Sequence, residues 1–397
     1  MSGMWGSKIK LSIFGESHGN AIGITIDGLP AGFSIDMDKI MMEMARRAPG
    51  KSSLSTPRKE SDIPEILSGY FEGKTTGTPL CAIIRNSNTK SKDYSKLKDV
   101  MRPGHADYTG AVRYKGFNDY RGGGHFSGRI TAPLVFAGAI CKQILEVKGI
   151  IVSAHINSIG KIKDCSFLES DISDELLNSF KEKELPLINT KLEDEMRQEI
   201  LSARSSGDSI GGTIECAILG VSPGIGDPFF DSVESTLAHL MFSVPAVKGI
   251  EFGKGFDISK MRGSEANDEY YLENGNIKTK TNNNGGILGG ITNGMPIIFN
   301  VAIKPTASIF KEQKAVNIIT MEETTLCIEG RHDPCIVQRA STPSATAAPS
   351  LRAAMARMPL PVPMSSTRSP PLTRSSSTSR QRLVVSWPPV PKARPGS

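Results

Sequence analysis

From Thr131 to about Lys148 the chain reads as one strongly apolar helix, opened by Thr131 and Pro133. Proline suits a first helical turn, where its missing N–H is no loss. A helix this apolar has no broad face to turn to water, so it must be buried. The residues around it set what buries it. Ile9–Phe14, Ala21–Ile26, Leu80–Ile84, Gly212–Leu219 and the buried run Pro296–Lys304 read as strands. Met37–Arg47 reads as a helix capped by Asp36 and stopped by Pro49-Gly50, and Asp231–Phe242 as another. Residues 87–120 read as polar loop, and residues 164–194 as a surface excursion. Strands and helices alternate irregularly, without a βαβ series. That pattern predicts an α+β sandwich rather than a doubly wound parallel sheet.

Chemistry concentrates in loops. Three of the six His lie in Gly/Pro-framed segments: Gly15-Glu16-Ser17-His18-Gly19, Arg102-Pro103-Gly104-His105-Ala106-Asp107 and Gly330-Arg331-His332-Asp333-Pro334-Cys335. Imidazole moves protons near neutral pH, and Gly and Pro imply a fixed, close-fitting backbone. Together the segments point to one site assembled from distant pieces. Ahead of the apolar helix, Gly122-Gly123-Gly124 with Ser127 and Arg129 offers backbone N–H groups and a guanidinium to an anion, beside the positive end of a helix dipole. The run Lys304-Pro305-Thr306-Ala307-Ser308 ends a strand with a cation and two hydroxyls. It suits a phosphate, and equally an ordinary solvated strand end. Arg46-Arg47, Lys51 and Arg58-Lys59 suit a multiply anionic substrate, and equally a solvated helix C-terminus.

The net charge of +6 does not describe the body of the chain. Residues 338–397 hold nine Lys/Arg and no acid; removing nine from 47 leaves 38 basic against 41 acidic side chains, a net of −3. A nucleic-acid partner is therefore not expected. The six Cys are scattered without a CxxC pair, which suggests neither a zinc site nor a disulfide scaffold. No apolar run has membrane-spanning length and no secretion signal opens the chain, so a cytoplasmic protein is expected. At Gln338 the composition shifts to Ser, Pro, Arg and Ala, and eleven of the 25 Pro follow it. Such a segment is expected to be disordered. It is either a basic tail for anionic partners or the product of a shifted reading frame, and the wholesale change at one position favours the second.

These segments give the chain a resemblance. From about Trp5 to Val337 it resembles the chorismate synthase family. The resemblance rests on Phe14-Gly15-Glu16-Ser17-His18-Gly19, on Phe33 to Gly50 with its paired Arg, and on Arg102 to Asp107. Tyr120 to Gly124, Gly207-Asp208-Ser209-Ile210-Gly211, Ala246-Val247-Lys248-Gly249, Gly286 to Gly290 and Gly330 to Cys335 extend it in family order. The resemblance implies a β-α-β sandwich in a single large domain, residues 1–337, followed by the tail. It implies a lyase that eliminates phosphate from 5-enolpyruvylshikimate 3-phosphate, a small-molecule substrate, to give chorismate, with reduced FMN required and no net redox change. A homotetramer is implied, and no metal.

By resemblance, His18 is the acid near the departing phosphate, His105 the flavin partner, and Asp333 an aid to proton transfer at the flavin. Ser17, Arg47, Arg58, Arg102 and Arg129 are implied to hold the substrate. Flavin contacts are implied for His125, Phe126, Ser127, Ala246 and Gly289, for Lys304, Pro305, Thr306, Ala307 and Ser308, and for Arg331. The chain departs from the family at Ala48 and Ser53, where basic residues are common, and at His125-Phe126. These departures argue against built-in reduction by NADP and for an external flavin reductant. At Gln338-Arg339-Ala340 the family's Pro-Arg-Ala and its apolar helix give way to the tail. The lost helix predicts a weakened chain, and leaves open a flavin- or phosphate-binding protein of the same fold with impaired catalysis.

Overall fold

The computed structural model describes residues 3–50, 54, 60–87, 98–328, 333–339 and 348. Two five-stranded antiparallel sheets organise them. The first runs Met4–Trp5, Lys10–Gly15, Ala21–Asp27, Leu80–Arg85, Pro64–Ser68 in spatial order. The second runs Val247–Phe252, Ile297–Ile303, Gly212–Leu219, Ile151–Ile159, Ile162–Lys163.

Between them lies the apolar helix, Thr131–Glu146, with 14 of its 16 residues buried. It packs on Ala21–Asp27 and Leu80–Arg85 of the first sheet and on Ile151–Ile159 of the second. Its composition follows from serving two cores. Val135, Phe136 and Ile140 join the core of the first sheet. Cys141 and Leu145 join the core of the second. The helix Met37–Arg47 packs beside it, with Asp36 accepting from the N–H groups of Asp38 and Lys39 as expected of its cap. The buried Gln143 amide is satisfied at the same place, donating to Asp36 O and accepting from Asp36 N, both at 2.9 Å.

The α+β sandwich is as expected, with small boundary differences. Residues 87–120 are not all loop: the described part contains the helix Asp107–Arg113. Residues 164–194 do more than line the surface. Phe167, Leu177 and Phe180 pack on Ala217 and Ile298, which point away from the central helix, and so cover the outer face of the second sheet. A polar knot fastens this cover. His155 Nε2 lies 2.9 Å from Glu215 Oε2 on the neighbouring strand, and His155 Nδ1 lies 3.4 Å from Asp164 Oδ2. All three side chains are fully buried.

Of the expected tail, residues 338–397, only Gln338, Arg339 and Ala348 are among the described residues; Gln338 and Arg339 bond to the body of the chain, and Ala348 is buried in the core of the second sheet. Among the described residues no helix is long and apolar enough to cross a membrane, and no group of His, Cys, Asp and Glu could hold a metal ion. All six Cys are free thiols.

Candidate active site

A cavity of about 750 Å³ opens where the loops following the sheets meet the start of the central helix. Its walls contain Arg47, Arg102, His105, Arg129, Asp333 and the strap Lys304–Ser308, so most of the dispersed sequence segments converge there. His125, Phe126, Ser127 and Ala246 also face it. Gly289 does not; it lies in the turn between Ile287–Leu288 and Ile291–Thr292, away from the cavity wall. Arg58, Arg331 and His332 lie outside the described residues.

The glycine run explains how two imidazoles come together. Gly122 and Gly123 have φ of 60° and 81°, a region that side-chain-bearing residues rarely adopt. A Cβ on Gly122 would sit 2.4 Å from His18 Cδ2 and 3.0 Å from Ser17 Oγ. A Cβ on Gly123 would sit 3.0 Å from His105 Nε2. The bare backbone at Gly122-Gly123 is thus flanked by His18 and His105. The run is not a free anion cradle at every amide, because Gly123 N–H donates to Tyr120 O at 3.2 Å. Ser17 N–H donates to Gly124 O at 3.1 Å and ties the first His loop to the run. The Ser17 hydroxyl is buried and has no hydrogen-bond partner among the described residues. A buried orphan against the wall residue Gly122 is open to a hydrogen bond from a ligand or an ordered water. His125 donates from Nδ1 to Gly15 O at 2.9 Å, the tautomer following from the carbonyl acceptor.

His105 is fixed by Asp107. Its Nδ1 lies 2.6 Å from Asp107 Oδ1, while Arg102 donates from Nε to Oδ2 at 2.6 Å and from a terminal nitrogen to Oδ1 at 2.7 Å. Burial works against the Asp107 carboxylate, but these bonds from Arg102 and His105 hold it well below the usual carboxylate range. With an ionised acceptor at Nδ1, the proton resides there and Nε2 is turned toward Gly123. Arg102 also donates to Ser308 Oγ at 3.3 Å, and Lys304 donates to Gly104 O, so the strap closes over the second His loop. Thr306 Oγ1 donates to Asp333 O at 2.8 Å and carries the third segment to the same place. Ala246, next to the strap, holds a φ of 73° and accepts from Lys304 N at 2.9 Å.

Asp62 organises the far wall. Arg47 donates to Asp62 Oδ2 at 2.6 Å, and Arg129 donates to Asp62 Oδ1. Arg47 also donates to Thr131 Oγ1 and Gly128 O, and Arg129 to Asn86 Oδ1. Glu60 stands 3.8 Å from Arg129. Both guanidinium groups are therefore committed to protein partners, and an incoming anion must share them. Burial, opposed by Asp62 and reinforced by the nearby cations Arg339 and Arg129, pulls Arg47 down to about 10. Sequence reading missed Glu60, Asp62 and Asn86, which lie in no motif. The signal that could have found an acid here is physical: two buried Arg need a carboxylate. It also missed Arg339, which lines the cavity and pairs with Asp333 at 2.9 Å. Trp5, Leu11, Ile13 and Leu240 add apolar side chains to the lining.

The arrangement can hold a multiply anionic ligand and present the His105 imidazole and the Asp333 carboxylate for proton movement, while Ser17 and His18 lie against Gly122 and are not among the wall residues. Known proteins show the chain's relatives. Residues 9–354 match the chorismate synthase family, extending past Val337, where the motif resemblance ends. The chorismate synthase of Thermococcus kodakarensis is 44% identical over 337 residues, covering 85% of this chain and 92% of that protein. Those of Pyrococcus abyssi and Methanocaldococcus jannaschii are each 46% identical, covering 85% and 84% of this chain and 92% and 91% of theirs. A crystal structure of a chorismate synthase superposes with a TM-score of 0.68 at 29% identity, covering 88% of this chain and 92% of that one.

Proposed function

Because the chain belongs to the chorismate synthase family, we propose that the cavity is the site of the family reaction, with His18 and His105 as its proton-handling groups. That reaction is the elimination of phosphate from 5-enolpyruvylshikimate 3-phosphate to give chorismate, the final step of the shikimate pathway. The observation that carries the assignment is the Gly122-Gly123 backbone lying bare between the two imidazoles.

A flat ring system with a phosphate tail fits the residues present. The lining combines apolar side chains with Arg47, Arg102, Arg129 and Lys304, and the buried Ser17 hydroxyl, unmatched among the described residues, lies against the wall residue Gly122. Reduced FMN, when bound, supplies electron density to the carbon framework and takes up the departing hydrogen. His125, Phe126, Ser127, Ala246 and the strap Lys304, Pro305, Thr306, Ala307 and Ser308 would hold it. Arg331 and Gly289 complete the proposed flavin set, Gly289 away from this cavity's wall.

The remaining steps belong to the protein. Arg47, Arg102 and Arg129, with Arg58, orient the phosphate and carboxylates and offset charge as the C–O bond breaks. His18, with Ser17 beside it, gives a proton to the leaving phosphate oxygen. His105, its Nδ1 proton pinned by Asp107, keeps Nε2 beside the Gly123 backbone, where it would stabilise the reduced flavin. Asp333, in the cavity lining, would hold or relay a proton. We assign the flavin an external reductant, the assembly a homotetramer and the location the cytoplasm.

Phosphate release from the enolpyruvyl substrate, with chemically reduced FMN and no oxygen, tests the roles. His18→Ala and His105→Ala should each lower turnover by about 10²- to 10⁴-fold. Unchanged turnover in either variant removes that histidine from the mechanism.

A further inference from the structure

Arg339 stands at the second position of the segment whose composition marks it as tail, yet its side chain reaches into the cavity. One terminal nitrogen lies 2.9 Å from Asp333 Oδ1 and 3.1 Å from Oδ2. The two side chains are 17% and 16% exposed, so this is not a solvated surface pair whose energy water would screen away. Both ends of the arrangement are anchored. Gln338 Nε2 donates to Leu54 O at 3.0 Å, and Arg339 N donates to Ile336 O at 3.1 Å, which turns the chain back over Asp333. From the other side, Thr306 Oγ1 holds the Asp333 main chain at 2.8 Å. Arg339 is also close enough to Arg47 for its charge to act on that guanidinium. Asp333 offsets part of the repulsion that this cation adds to the cation wall.

We infer that Arg339 is a positioning residue: its guanidinium fixes the orientation of the Asp333 carboxylate in the cavity and acts on the reaction through it. The inference rests on the reading of Asp333 as part of the proton-handling machinery. Outer partners that orient a reacting group typically matter by about 10- to 100-fold. A cation that binds substrate directly would act independently of Asp333, and a group that only props up the fold would change the melting midpoint.

The test is a double-substitution cycle on the full chain, assayed as above, with the melting midpoint recorded for each variant. Arg339→Gln should lower kcat by about 10- to 100-fold with KM changed less than about threefold. Arg339→Lys, which keeps charge but loses the fork, should recover part of kcat; it also serves if the Gln variant does not fold. In an Asp333→Asn background, Arg339→Gln should have no further effect. Independent effects of the two substitutions, or Arg339→Gln at full turnover while Asp333→Asn is impaired, overturn the inference alone. Full turnover in Asp333→Asn overturns the reading of Asp333, and the inference with it.

Discussion

His105 Nδ1 and Asp107 Oδ1 lie 2.6 Å apart across the start of a helix, and the same carboxylate accepts three further bonds from Arg102, two from its guanidinium and one from its main-chain N–H. One acid thus sets the tautomer of an imidazole and neutralises a buried cation. Asp107→Asn keeps the shape but presents an amide where the ring needs an acceptor. Turnover with chemically reduced flavin should fall by about 10- to 100-fold. Because Arg102 loses its carboxylate, stability should also fall, by about 3 kcal/mol, as read by denaturant unfolding. Loss of stability with intact turnover would contradict the orienting role.

Asp62 is the shared partner of Arg47 and Arg129, all three side chains being nearly inaccessible. Asp62→Ala leaves two guanidinium groups with one distant acid, Glu60. It should cost about 3–5 kcal/mol of unfolding free energy. The equally buried Ala139 side chain, changed to Gly, should cost about 1 kcal/mol. Equal losses in the two variants would show that Asp62 is not an electrostatic keystone.

Gly122→Ala would place a methyl 2.4 Å from the His18 ring at a φ of 60°. The ring must move, so turnover should fall by at least about 10-fold, the scale on which misplacing a reacting group by about 1 Å acts. Gly263, where an added Cβ meets nothing within 4 Å, is the control: Gly263→Ala should be silent. Steady-state kinetics on both variants decides it.

Stability should peak on the acid side of neutral. Burial alone would lower the pKa of His155, but its hydrogen bonds to Asp164 and Glu215 overcome this and raise it above 6.5. Its contribution is therefore fully present below 6.5 and is lost as pH rises through the folded value. Asp62, Asp107 and Asp164 are lowered against their burial by their bonded partners. Their contribution is present above 3.8 and is lost as pH falls through their folded values. Melting midpoints from about pH 4 to pH 9 should therefore be highest between about 4 and 6.5. His155→Gln should flatten the alkaline decline, and a decline unchanged in that variant would exclude His155 as its source.

Much of this was legible because the signals were local. The Asp36 cap, the Pro49-Gly50 stop and the apolar run after Thr131 each act within a few residues, and their elements lie where the residues put them. The His18, His105 and Asp333 segments carried their own Gly and Pro punctuation. What stayed hidden was pairing across distance. Nothing near Asp62 in the sequence announces Arg47 or Arg129, and nothing near Phe167 announces the outer face of a sheet formed by Ala217 and Ile298. Arg339 was hidden by its surroundings: composition averages over a window, whereas a single side chain reaching back six residues does not enter the average.

The helix Thr131–Glu146 belongs to both cores at once, Phe136 and Ile140 on one side, Cys141 and Leu145 on the other. Neither sheet can lose its packing without uncovering a flank of that helix. The two halves of the sandwich should therefore share one melting transition, with the helix amides exchanging with solvent only when the whole domain opens. A domain that opens only as a whole keeps the cavity walls in register from the first sheet to the second, because the rod that spaces them is the last element to let go.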